Sequence, residues 1–313
     1  MATGIGRTKM ERRTLGRTGL EVSRLGMGLS EIGMQFSLDD QQRATTLLNT
    51  ALDNGINLLD TGACYGNSET LTGNAVAGRR DEYLLATKCG HVIGGYDGEP
   101  WSVETIAHSI DRSLERLQTD HLDIIQLHSC ALDVLERGDA IRAVQDARDA
   151  GKTRFIGYSG DNEAAAWAVS SGAFDTLQTS FNLVDQGARR GLLQSAQDAD
   201  MGVIIKRPIA NGIWGGSPED VRSTGRYDEI SDRVRQMTAA GPLDGAPEDR
   251  VHLTLGFTFA HPQVDTAIVG TKNPEHLVEN IRQVEAGLDL SDAVVTELYR
   301  RFDEMGTTWQ QIS

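Results

Sequence analysis

The chain has 313 residues, of which 39% are hydrophobic and 24% charged, and its 30 Lys+Arg against 45 Asp+Glu leave a formal charge of −15. Disorder, collagen and coiled coil are excluded by that composition. So acidic a balance argues against a nucleic-acid or anionic-membrane partner, while leaving room for a local basic pocket around one phosphate.

Residues 10–15 and 20–25 flank Gly16-Arg17-Thr18-Gly19, a turn-forming stretch that predicts an N-terminal β-hairpin. Short runs rich in Val, Ile and Leu then recur at 24–28, 57–62, 83–88, 122–128, 154–159, 176–181, 202–208 and 266–270. Amphipathic stretches such as 38–54, 102–117, 132–150 and 274–286 lie between them and predict helices. Eight strands alternating with helices predict a parallel sheet, and eight repeats without a break in composition suit a closed (β/α)8 barrel over 1–313 as a single α/β domain, the hairpin closing its bottom. The Gly- and Pro-bearing stretch 210–247 is expected to be a long loop over the barrel mouth. Residues 290–304, with Ser291 placed as N-cap, predict an extra C-terminal helix packed outside.

The N-terminus has no apolar stretch and nowhere do 18 apolar residues run together, so neither secretion nor a membrane span is expected. Cys64, Cys89 and Cys130 are odd in number and lack a Cys-x-x-Cys pair, which makes a reducing cytoplasm the simplest expectation. Cys64 and Cys89 are expected to pack rather than react. The histidines show no ligand spacing and no His-Glu-x-x-His motif occurs, so no metal is expected.

In a barrel the C-terminal strand ends face the active site. Asp60 ends the second run, Tyr65 follows in its loop, Lys88 ends the third run and His128 the fourth. Lysine is rare here: five of the 30 basic residues, Lys9, Lys88, Lys152, Lys206 and Lys272, carry an ammonium. A phenol becomes a better acid beside an ammonium, a carboxylate keeps that ammonium charged, and an imidazole opposite can donate to a carbonyl oxygen as charge develops on it.

These residues lie in motifs that resemble the aldo-keto reductase family over nearly the whole chain. They run from Arg13-Thr14-Leu15-Gly16-Arg17-Thr18-Gly19 through Asp60-Thr61-Gly62-Ala63-Cys64-Tyr65-Gly66, Ala86-Thr87-Lys88, Ser113-Leu114-Glu115-Arg116-Leu117 and Gly151-Lys152 to Val269-Gly270-Thr271 and Pro274-Glu275-His276-Leu277. The resemblance implies a TIM barrel, a catalytic tetrad of Asp60, Tyr65, Lys88 and His128, and reversible hydride transfer from NADP(H), with NAD(H) not excluded, to a small-molecule aldehyde or ketone. Ser159 and Gln178 match the positions that hold the nicotinamide carboxamide. Gly160 stands where the family usually has asparagine, and Asn162 is a candidate substitute. Lys206 occupies the place of the usual stacking aromatic, where it reads equally as a solvated rim lysine, and Pro208 and Asn211 follow in the same cofactor-binding segment. Gly270 is a further cofactor-binding candidate, Lys272 and His276 match the surroundings of the adenosine 2′-phosphate, and Glu279 and Asn280 those of adenine. Met34, Phe36, Tyr96, Trp101 and Trp214 are candidates for the substrate walls. Two other readings stay open: a Schiff-base aldolase using Lys88, and a redox-sensing binding subunit of a larger assembly.

Overall fold

The computed structural model describes residues 10–210 and 227–312. The hairpin comes first: β1 (Arg12–Thr14) pairs antiparallel with β2 (Glu21–Ser23). The barrel strands follow as β3 (Leu25–Gly28), β4 (Leu58–Asp60), β5 (Leu84–Cys89), β6 (Leu122–His128), β7 (Thr153–Ser159), β8 (Thr176–Ser180), β9 (Gly202–Lys206) and β10 (Thr266–Gly270). All are parallel, each pairs with the next, and β10 returns to β3 to close the barrel. The hairpin closes the bottom as expected: Leu15, Leu20 and Val22 join Leu58, Ala86, Ile124, Ile204 and Ile268 in one inner core.

Polar side chains at the bottom rim complete the strand ladders in alternate pairs. Asn57 Oδ1 accepts from Ser23 N, Asp123 Oδ2 from Leu85 N, Asp175 Oδ2 from Ile156 N and Asp265 Oδ2 from Val203 N, at 2.7 to 3.0 Å. Each lies within one residue of the start of the later strand of its pair and satisfies a backbone donor that would otherwise be buried unpaired.

The helices are α1 (Ser30–Gln35), α2 (Gln41–Asp53), α3 (Ser68–Val76), α4 (Val103–Leu117), α5 (Leu132–Arg137), α6 (Asp139–Asp149), α7 (Asn162–Ser171), α8 (Leu192–Asp198), α9 (Tyr227–Ala239), α10 (Arg250–Phe259), α11 (Pro274–Ala286) and α12 (Asp292–Met305). Two expectations need correction. The single helix expected over 132–150 is two, because Gly138 takes the left-handed conformation (φ 79) and turns the chain between α5 and α6. The stretch 210–247 is not irregular throughout: α9 lies within it, holding Ile230 and Met237 buried two turns apart. Ser291 does cap α12, its side chain accepting from Val294 N.

Candidate active site

Asp60, Lys88 and His128 stand at the C-terminal ends of three adjacent strands, β4, β5 and β6, so the parallel register alone gathers them at the mouth. Tyr65 reaches them from the tight turn after β4, whose backbone lies directly on α1. A Cβ on Gly33 would come 1.9 Å from the Tyr65 carbonyl oxygen, so only glycine lets that turn sit where it does.

Lys88 Nζ donates to Asp60 Oδ2 at 2.5 Å and to the Thr61 carbonyl at 2.7 Å, and it lies 5.0 Å from the centre of the Tyr65 ring. The pair is buried, Lys88 being 1% exposed. Burial opposes the ammonium, but Asp60 and the neighbouring phenol outweigh it and hold the Lys88 pKa above its usual value. Tyr65 itself is shifted upward. Burial raises the phenol more than Lys88 lowers it, so the ammonium restrains the shift where the sequence suggested a net fall. His128 is pushed well below the ordinary histidine range by burial and by the cations Lys88, Lys206 and Arg207, so its imidazole is neutral near pH 7. Its Nε2 faces the Tyr65 hydroxyl at 3.4 Å, and its Nδ1 faces Cys64 Sγ at 3.3 Å.

Asp60 is also a junction. Its Oδ1 accepts from Gln178 Nε2 at 2.7 Å and Gln126 Nε2 at 3.2 Å, and Ser159 Oγ donates to Gln178 Oε1 at 3.0 Å. The pair Ser159 and Gln178 is thus tied to the tetrad through one carboxylate. Gln126 was not singled out from sequence, although its position two residues before His128 puts it on the same face of β6. Among the described residues its Oε1 is buried without a partner.

Lys206 is not a solvated rim lysine. Its Nζ lies 2.9 Å from Asp161 Oδ2, with side-chain exposures of 13% and 0%. Asp161 further accepts from Thr179 Oγ1 at 2.9 Å and Ser180 N at 2.7 Å. Burial lowers the Lys206 pKa with Asp161 opposing; burial works to raise that of Asp161, but Lys206 and the hydrogen bonds bring it below the usual carboxylate value. Asn162, the candidate substitute for the missing asparagine, has both ends of its amide on the backbone of Gln311, at 3.1 Å each. Pro208 is buried, and Asn211 and Trp214 lie outside the described residues.

Across the mouth, β10 ends at the half-buried Gly270, and the exposed Lys272 follows with Nζ 2.8 Å from Gln35 Oε1. Helix α11 starts at Pro274, with Asn273 Oδ1 accepting from Glu275 N, and His276 is exposed in its first turn. Glu279 is paired with Arg282, which draws its carboxyl down to about 2, and Asn280 is buried at 7%. Among the wall candidates, Met34 is 65% exposed, whereas Phe36 is 4% exposed with the Arg43 guanidinium over its ring and belongs to the core. Tyr96 stacks on His108 of α4 at 4.1 Å. Trp101 packs against His91 at 4.8 Å between ring centres, and His91 against His128 at 4.9 Å.

A model of the Aldo/keto reductase family matches residues 24–300, nearly the whole barrel. The chain belongs to the aldo/keto reductase family. This aldo/keto reductase is 31% identical to L-galactose dehydrogenase of Arabidopsis thaliana over 88% of its length and 89% of the relative's. It is 27% identical to the aldo-keto reductase YhdN of Bacillus subtilis, covering 86% and 87% of the two chains. Among solved structures it matches the holo form of aldo-keto reductase AKR11C1 from Bacillus halodurans with a TM-score of 0.77 at 25% identity, over 93% and 96% of the two chains. The reductase is an oxidoreductase with a carbonyl reductase-type site. Its residues fit a nicotinamide dinucleotide: the β7–β8 side offers a hydroxyl and an amide beside the tetrad, and the β10 side offers an exposed ammonium and a helix N-terminus.

Proposed function

We propose that this protein is an NADPH-dependent carbonyl reductase in which Tyr65 delivers the proton, the same groups running the reverse oxidation of an alcohol. The observation that carries the reading is the placement of the Tyr65 phenol between Lys88, 5.0 Å from its ring, and His128 Nε2, 3.4 Å from its hydroxyl. Bound nicotinamide would supply hydride to the carbonyl carbon. The protein's part is to hold the carbonyl oxygen between two donors. A phenol whose pKa is raised keeps its proton at neutral pH and can give it up only as the carbonyl oxygen becomes basic. Lys88 then stabilises the phenolate, and Asp60 keeps Lys88 charged and fixed.

Cys64 sets the histidine tautomer. Burial pushes its thiol up, so the S–H is retained and donates to Nδ1 of His128, leaving the ring proton on Nε2, on the side of the reacting oxygen. A neutral N–H there stabilises developing negative charge without competing as the acid. Lys88 is a poor Schiff-base nucleophile in this setting, since a held ammonium has no lone pair to attack a carbonyl. Ser159 and Gln178 are assigned to the carboxamide, Lys272 and His276 to the 2′-phosphate, and Glu279 and Asn280 to the neighbourhood of adenine. The free thiols Cys64, Cys89 and Cys130 support a reducing, cytoplasmic setting.

The test is to follow NADPH and NADH absorbance against panels of aldoses, aromatic aldehydes and ketones, with alcohols and sugars for the reverse direction. Turnover with NADPH preferred supports the assignment. No turnover with either cofactor, together with borohydride trapping of a carbonyl compound on Lys88, would replace it with the aldolase reading.

A further inference from the structure

Three separate segments bring soft-metal ligands to one point beside the tetrad. Cys64 comes from the turn after β4, His91 from the loop after β5 and His128 from the end of β6. Their ligand atoms all lie within 4.8 Å of one another, and Cys64 Sγ is already 3.3 Å from His128 Nδ1. In a tetrahedral zinc site, with Zn–S near 2.3 Å and Zn–N near 2.0–2.1 Å, neighbouring ligand atoms stand roughly 3.3–3.6 Å apart. The Cys64 to His128 edge is thus close to its metal-bound length, and the remaining edges need to shorten by about 1.5 Å at most. Rotation of the His91 side chain, whose ring packs against Trp101 and His128, would supply movement of that size. All three residues are partly exposed, so an ion can reach them from solvent.

We propose that Cys64, His91 and His128 form a binding site for one thiophilic divalent ion of the Zn2+ class, with a fourth position left to water. One thiolate and two imidazoles are the donors such an ion takes, whereas Mg2+ and Ca2+ require oxygen ligands absent from this group. On binding, the Cys64 thiol releases its proton to solvent as the metal–sulfur bond forms, and His128 binds through Nδ1, keeping its proton on Nε2. The metal would replace the Cys64 proton as the partner of Nδ1, adding positive charge to the ring that faces Tyr65 and tying carbonyl reduction to the free zinc level. The geometry of the three side chains carries this inference, which adds a ligand site to the proposed enzyme and does not depend on its turnover.

Titration of the purified full-length protein with Co2+ tests it by absorbance, whether or not a carbonyl is reduced. The expected result is saturation at one ion per chain, with intense four-coordinate visible bands, a sulfur-to-cobalt charge-transfer band and displacement by Zn2+. Cys64→Ser should abolish the charge-transfer band. His91→Ala should weaken Co2+ binding at least about tenfold, since loss of outer-shell support alone costs that much at known sites. Circular dichroism establishes that each variant is folded, and the two substitutions sit on different segments, so failure of one to fold leaves the other to decide. Only weak six-coordinate absorption, a charge-transfer band that survives Cys64→Ser, or unchanged affinity in folded His91→Ala would overturn the site.

Discussion

Burial sets the acidities of the side chains proposed to react. The Tyr65 phenol is raised by it and restrained by Lys88, while His128 is driven down by it together with the surrounding cations. The sign of a pH prediction follows. Reduction needs the protonated phenol, so kcat/KM falls as pH climbs through the Tyr65 pKa. Replacing Lys88 with Met removes the group that lowers that pKa, and the falling limb should move to higher pH while the plateau drops. A pH–rate profile of Lys88→Met checks this, and an unmoved limb would mean that Lys88 does not act through Tyr65. The four tetrad positions were legible because strand ends and motif spacing locate them in the chain. The roles of Gln126 and Asp161 were not, since what marks them is a hydrogen bond to a residue 66 positions away and an ion pair to Lys206 on a different strand.

Parallel strands convert sequence order into spatial order, which is why the eight apolar runs were readable to within a few residues. Breaks that depend on one dihedral were not: a Gly inside 132–150 looks tolerable in a helix until its left-handed conformation is seen. Helix α9 was hidden by flanking turn residues such as Gly241 and Pro242. Where the family usually stacks an aromatic ring, the end of β9 carries an ammonium held by Asp161 just after β7, and Thr179 and Ser180 of β8 complete the set. Lys206→Met should leave Asp161 buried without its cation and lower stability by about 3–5 kcal/mol in urea unfolding, much more than replacement of an exposed lysine. A loss below about 1 kcal/mol would return Lys206 to the solvated rim. At the other side of the mouth, the start of α11 gives Lys272 an exposed position beside a helix N-terminus. Lys272→Ala should weaken NADPH binding by about tenfold, the worth of one charge-assisted hydrogen bond, and leave NADH binding nearly unchanged. Equal losses for the two cofactors, measured as dissociation constants, would remove Lys272 from phosphate recognition.

On the scale of the molecule, the C-terminal segment is laced across the β7–β9 side of the barrel. Gln311 bonds Asn162, Thr179 and Ser180, and the Ile312 carbonyl accepts from Arg207 while its N–H donates to Asp185. Asp185 is buried, its Oδ1 has no partner among the described residues, and burial, opposed by the Ile312 N–H, pushes its pKa up to about 7. The folded chain therefore keeps a proton there that the unfolded chain releases at lower pH, so this residue's contribution to stability falls as pH rises from about 4 to about 7. Asp185→Asn retains an acceptor for Ile312 N and removes the buried charge. Thermal unfolding should show a gain of a few degrees at about pH 8 and little change at about pH 4, whereas a loss at both would indicate that the carboxylate itself is needed. Barrel, tetrad and cofactor edge converge on one claim, proton delivery by Tyr65. Its most direct measurement pairs kcat/KM for carbonyl reduction with the NADPH dissociation constant in Tyr65→Phe. The account predicts a fall in kcat/KM of about 10² to 10⁴-fold with cofactor affinity nearly intact, and a variant within about threefold of the parent would contradict it.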